Sequence, residues 1–301
     1  MTDTKRMPRL DSKPLLIFLS ISFLIAWPLF LAPLAFADRD LQTQQIIRIA
    51  FYSLAMWAPG IAAIIATKVS GGSLADLNLK RLGPKRYYIW AWLLFPVLSL
   101  LTGVVTVLFG VAELDPAFSM VTESLTSLPE STPLTPTLIL AIQIFASFSI
   151  APLFNMLFAL GEELGWRGFL LPRLLPLGQW KAILISNVIW GFWHAPAIIQ
   201  GHNYPDYPVA GIFMMIVFTV LLGTILSWLY LNTNSPWTPA FAHGSINAVA
   251  SLSLIFLLPG FDLAIGGTLA SVMGWIPLAA FVLWLVATSR VPVGEELHMT
   301  E

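Results

Sequence analysis

The chain has 301 residues, of which 57% are hydrophobic and only 10% charged, with a mean hydropathy of +0.80. Water-soluble domains of this size carry about 25% charged residues, so a surface wholly exposed to water is excluded and lipid must serve as solvent for much of the chain. The net charge of −1 gives no nucleic-acid footprint, and the absence of cysteine excludes disulfides, thiolate metal sites and a cysteine nucleophile.

A helix that crosses a bilayer needs ~20 mostly apolar residues. About eight such runs occur, at 15–36, 48–67, 87–110, 137–160, 181–199, 209–231, 237–258 and 268–288. The first follows Lys5, Arg6 and Arg9 and ends in Ala35-Phe36-Ala37, the small-residue pattern of a signal-peptide cleavage site. An apolar stretch of ~22 residues exceeds the usual ~7–15 of a signal peptide, which favours a retained span. The segment 69–86, with Gly71, Gly72, Gly83 and Pro84 among basic residues, reads as a cytoplasmic loop, and 111–136 as an external loop with a short surface helix. The fourth run continues without a break through Leu171, and a tilt or a kink at Pro152 accommodates its length. Of the 15 basic residues only Arg39 and Arg48 fall outside the segments assigned to the cytoplasm, among which Arg167 is counted. This bias predicts an N-in, C-in chain with an even number of spans. The expected fold is an all-α polytopic transmembrane helix bundle. It comprises a cytoplasmic segment 1–14, one membrane domain 15–290 and a cytoplasmic tail 291–301, in a membrane taken as a bacterial plasma membrane.

Ionisable residues within spans are costly and mark function. Here they are Glu162 and Glu163 in the fourth run, His194 in the fifth and His243 in the seventh. Glu163 and Arg167 stand four apart and share a helix face, which predicts an ion pair. Glu162 is turned ~100° from Glu163 and is left as the carboxylate free for chemistry. His243 and Asn247 also share a face, and Gly161 with Gly165 forms a small-xxx-small pair that admits a close neighbour. Arg48, at a span edge, snorkels to the interface. Asn155 and Asn187 are helix-packing polar residues. A carboxylate beside an imidazole can deprotonate a water, and a second imidazole with an amide can stabilise an oxyanion. The set Glu162, His194 and His243 has equally the composition of a zinc site, although no H-E-x-x-H spacing occurs.

These residues resemble the three motifs of the CPBP family of intramembrane endopeptidases, which includes CAAX prenyl endopeptidases and bacteriocin-processing relatives. Glu162, Glu163 and Arg167 match E-E-x-x-x-R. His194 matches the histidine of F-x-x-x-H, with Trp190 where the family has phenylalanine. His243 and Asn247 match H-x-x-x-N. The resemblance spans residues 162–247 and implies an eight-span peptidase. In it Glu162 and His194 activate water, His243 and Asn247 form the oxyanion hole, and Glu163 with Arg167 supports Glu162. It further implies that the substrate is a membrane-embedded or lipid-modified polypeptide and that a glutamate mechanism requires no cofactor, with Zn2+ as the alternative. Two readings compete. In a proton-coupled transporter, Glu and His would also lie within spans. A non-catalytic membrane scaffold or immunity factor would need none of this chemistry.

Overall fold

The computed structural model describes residues 10–119 and 135–294. The N-terminal basic residues Lys5, Arg6 and Arg9, most of the expected external loop with its surface helix, and residues 295–301 of the tail lie outside the described residues. Among those described there is no strand, only an isolated antiparallel bridge between Leu114 and Leu257.

The helices are α1 (Ser12–Leu31), α2 (Leu41–Ala55), α3 (Ala58–Val69), α4 (Arg86–Leu108), α5 (Pro136–Phe148), α6 (Ile150–Gly165), α7 (Gln179–Trp193), α8 (Ala195–Ile199), α9 (Ala210–Thr233), α10 (Trp237–Val249) and α11 (Val272–Ala287). Each expected apolar run is helical. Five continuous helical stretches are long and apolar enough to cross a membrane: Ser12–Phe36, Leu41–Val69, Arg86–Leu108, Ala210–Thr233 and Trp237–Phe256. The pair Thr137–Phe148 and Ile150–Leu177, bent by 43°, makes a sixth. The runs at 181–199 and 268–288 are shorter helices than expected, because α7 stops at Trp193 ahead of Pro196 and α11 has 16 residues. The protein is an all-helical integral membrane protein.

The bend in the fourth run falls at Ser149, three residues before Pro152. Proline removes the bond to the carbonyl four residues earlier and clashes with it, and that carbonyl belongs to Phe148. The freed Phe148 oxygen instead accepts a hydrogen bond from Trp92 Nε1 at 2.7 Å. A lipid-embedded backbone group is thereby satisfied from a neighbouring helix.

Helix α6 is central, packed against α10 and α3, while α7 packs on α9 and α1 on α3. Small residues permit these approaches. A Cβ on Gly161 would lie 2.6 Å from Met56 O, and one on Gly165 would lie 2.4 Å from Pro59 Cβ. On the other side of α6, a Cβ on Gly244 would meet Pro152 O at 2.4 Å. The run at 15–36 is built into this bundle. Phe18 and Ala26 are fully buried, and Trp27 Nε1 donates to Trp193 O.

The connecting segments sort to two ends. At one, Asn78 bonds Asn234, Ser235 bonds Arg81 O, Trp237 bonds Leu79 O, and Gln179 exchanges two hydrogen bonds with Val293. The opposite end gathers Phe30 and Gln200, Tyr207 and Asp262, and Leu114 and Leu257. The loop-borne basic residues Lys80, Arg81 and Lys85 and the tail residue Arg290 thus belong to the first end. Arg167 does not share that setting. It is 1% exposed inside the bundle and is no loop charge, because its partners are buried beside it.

Candidate active site

The second half of α6 carries Glu162 and Glu163 into the interior, 2% and 0% exposed. Beyond Gly165 the helix widens into a π-turn, Trp166–Leu170, that holds Arg167. Such widened turns recur at functional sites. The expected ion pair forms, with Arg167 Nη1 2.9 Å from Glu163 Oε1. The same oxygen takes a second bond from across the bundle, because His243 Nδ1 on α10 lies 2.8 Å away. Glu163 therefore joins two of the three motifs directly, a contact between helices that spacing along one helix does not reveal.

The network continues through α7. Arg167 Nη2 donates to Asn187 Oδ1 at 2.8 Å, and Asn187 Nδ2 is anchored on Ile183 O. Gly223 on α9 makes room, since a Cβ there would overlap the Asn187 amide at 1.9 Å. Asn187 is thus part of the charge network rather than plain packing. The signal available in the sequence is its register: Asn187, Trp190 and His194 lie at i, i+3 and i+7, one face of a helix.

Trp190 is the hub. Its Nε1 donates to Glu162 Oε2 at 2.6 Å, and the Arg167 guanidinium sits 4.3 Å over its ring. The ring centroid is 5.5 Å from that of His243 and 5.9 Å from that of His194, while its backbone oxygen lies 2.8 Å from His194 Nδ1. A phenylalanine in this position would present a ring but no N–H. The Glu162 Oε1 atom makes no hydrogen bond among the described residues.

Asn247 stands apart. It lies one turn beyond His243 on α10 but is exposed, and it makes no hydrogen bond among the described residues. Among those residues no group of three His, Cys, Asp or Glu side chains is arranged to hold a metal ion. The donors of Glu162, His194 and His243 are instead turned partly toward Trp190 and Glu163.

The geometry places Glu162, Glu163, Arg167, His194 and His243 around one tryptophan, and all of them fall in one matched segment. Residues 141–249 match the family model described as type II CAAX prenyl endopeptidase Rce1-like. The matched segment is Rce1-like. It runs from α5 to the end of α10 and contains all three motifs. The match agrees with the resemblance carried by Glu162, Glu163, Arg167, His194, His243 and Asn247, and it points to a CAAX-type intramembrane protease. No curated protein matches the chain.

Proposed function

We propose that this protein is an intramembrane endopeptidase that hydrolyses a peptide bond, near the C-terminus, of a membrane-embedded or lipid-modified polypeptide. The observation that carries the reading is the convergence of Glu162, His194 and His243 on Trp190 within the Rce1-like segment. Glu162 is the base that takes a proton from the attacking water. His194 shares that task through Nε2. Its Nδ1 faces the Trp190 carbonyl, which can only accept, so Nδ1 holds the proton and Nε2 keeps its lone pair.

His243 and Asn247 stabilise the oxyanion. In this role His243 presents Nε2–H to the reacting carbonyl while Nδ1–H is held by Glu163. It then carries a positive charge, and the two carboxylates of Glu162 and Glu163 are balanced by Arg167 and His243. That balance suits a site with little water, where a net charge is costly. In this proposal the exposed Asn247 amide supplies the second donor to the oxyanion. The attack proceeds without a metal, and a bacterial plasma membrane with N-in, C-in orientation is part of the same proposal.

The test is quantitative profiling of N- and C-terminal peptides in membranes from cells with wild type or Glu162→Ala at matched levels. Specific termini absent from the mutant establish cleavage and name the substrate. Identical profiles, with a deletion phenotype that Glu162→Ala rescues, sink the catalytic reading and favour a scaffold.

A further inference from the structure

Arg48 lies in the second turn of α2, within the stretch Leu41–Val69 that is apolar enough to span a membrane. It does not turn its guanidinium wholly outward. Its Nε is buried without a hydrogen-bond partner, and so is the hydroxyl of Tyr52, one turn along the same face. Arg48 makes no ion pair among the described residues. An arginine within an apolar span that lacks an ion-pair partner either snorkels out, pairs with another group or lines a substrate path.

Ring contacts connect this region to His194. Phe30 stacks against the His194 ring at 6.4 Å and meets the Tyr52 ring edge-on at 5.2 Å. Tyr52 in turn meets His202 at 5.7 Å, and Arg48 is close enough to act electrostatically on Tyr52 and His202. His202 itself lies within electrostatic range of His194. Burial, and then the neighbouring Arg48 charge, push the His202 imidazole down to about 4. At neutral pH it therefore carries no charge. The cluster is one fixed cation flanked by a phenol and a neutral imidazole, one aromatic ring removed from a residue of the proposed catalytic set.

We infer that Arg48, Tyr52 and His202 form a subsite that binds the C-terminal carboxylate of the polypeptide substrate. Guanidinium N–H donors match a carboxylate in shape and charge, and the two orphaned donors gain the acceptor they lack. Length agrees. Three residues follow the cysteine in a CAAX ending, and three extended residues reach ~10 Å, comparable to the two ring-to-ring steps from His194 to Tyr52. The identity of this ligand rests on the peptidase reading above, whereas the anion site itself does not.

The experiment uses full-length protein in nanodiscs and one probe in two forms, an S-farnesylated peptide ending Cys-Val-Ile-Met as the free acid or the C-terminal amide. Binding is measured on Glu162→Gln protein, and cleavage on protein with Glu162 intact. The expected result is that the acid binds about tenfold tighter than the amide, the worth of roughly one charge-assisted contact. Arg48→Gln collapses the ratio, Tyr52→Phe narrows it, and Arg48→Lys restores part of it. In cleavage the same preference appears in KM rather than kcat. Equal binding of acid and amide by the Glu162→Gln protein overturns the inference. So does a preference that survives Arg48→Gln, or an Arg48 dependence seen only for retention of phosphatidylglycerol. If acid is preferred through Arg48 but neither form is cleaved, the subsite stands and the peptidase reading falls. If both are cleaved equally, the peptidase reading stands and the subsite falls.

Discussion

Replacing Arg167 by methionine strands a carboxylate that has nowhere to go. Glu163 is 0% exposed, and its Oε1 is shared between Arg167 and His243. Removing one member of a buried ion pair costs about 3–5 kcal/mol, because the other charge stays desolvated and uncompensated. The loss here belongs at the upper end of that range. The same guanidinium also satisfies Asn187 Oδ1 and covers the Trp190 ring at 4.3 Å. Adding Glu163→Gln removes the stranded charge, and the glutamine oxygen can still accept from His243 Nδ1. The double variant Arg167→Met/Glu163→Gln should therefore be more stable than Arg167→Met alone, by about 1–2 kcal/mol, although Glu163→Gln by itself destabilises. The assay is unfolding of purified protein in mixed micelles of rising SDS content, followed by tryptophan fluorescence. A double variant less stable than Arg167→Met, with the two single costs simply adding, would refute the shared-oxygen network.

Trp190→Phe keeps a ring under Arg167 but deletes the N–H that reaches Glu162 at 2.6 Å. A hydrogen bond to a charged group is worth about 1.5–3 kcal/mol, so under the proposed mechanism kcat should fall about tenfold or more with KM little changed; an unaltered kcat removes Trp190 from the machinery. Gly165→Ala places a Cβ 2.4 Å from Pro59 Cβ, and overpacking of this kind costs about 1–3 kcal/mol. The micelle assay reads it directly, and a wild-type midpoint would mean that α3 and α6 do not meet so closely. For the metal-free attack, cleavage should persist in excess 1,10-phenanthroline. Loss of activity that added Zn2+ restores would return Glu162, His194 and His243 to the role of metal ligands.

What the sequence makes legible is whatever repeats along one helix. The Glu163–Arg167 pair, the shared face of His243 and Asn247, and the close approach at Gly161 and Gly165 all follow from i, i+4 spacing, and the structure contains the pair and the approach. Contacts between helices leave no such trace. Nothing in the spacing shows that His243 reaches Glu163 rather than Glu162, or that Trp190 reaches Glu162. Shared register does not fix environment either, since His243 is 6% exposed while Asn247, on the same face one turn on, is exposed. Arg48 shows the same limit. Its position near a span edge suggests snorkelling, yet its Nε is buried, and Tyr52 and His202 lie within its electrostatic range. The bend illustrates the converse. Pro152 signals a kink, yet the break falls three residues earlier because the ring acts on the carbonyl of Phe148.

The order of these dependencies explains why one helix carries so much of the site. Two buried carboxylates on adjacent residues repel each other and must be answered from different sides. Helix α6 achieves this by exposing Glu163 to α10 and to its own next turn, and Glu162 to α7. That division requires α10 and α7 to close on α6 from separate directions, and Gly244 against the Pro152–Met156 backbone allows the first approach. The π-turn brings Arg167 between Glu163 and Asn187, so a single cation links the two sides. The glycines and the extra residue in the turn are then conditions for placing the charges, and a substitution at Gly244 should disturb the His243–Glu163 contact before it unfolds the bundle. Tryptophan fluorescence distinguishes the two events. Trp190, 5.5 Å from His243, is one of twelve tryptophans, so its signal is the difference between Gly244→Ala and Gly244→Ala/Trp190→Phe. A local change in that difference below the global midpoint is expected, and a single coincident transition would show that the site and the bundle fail together.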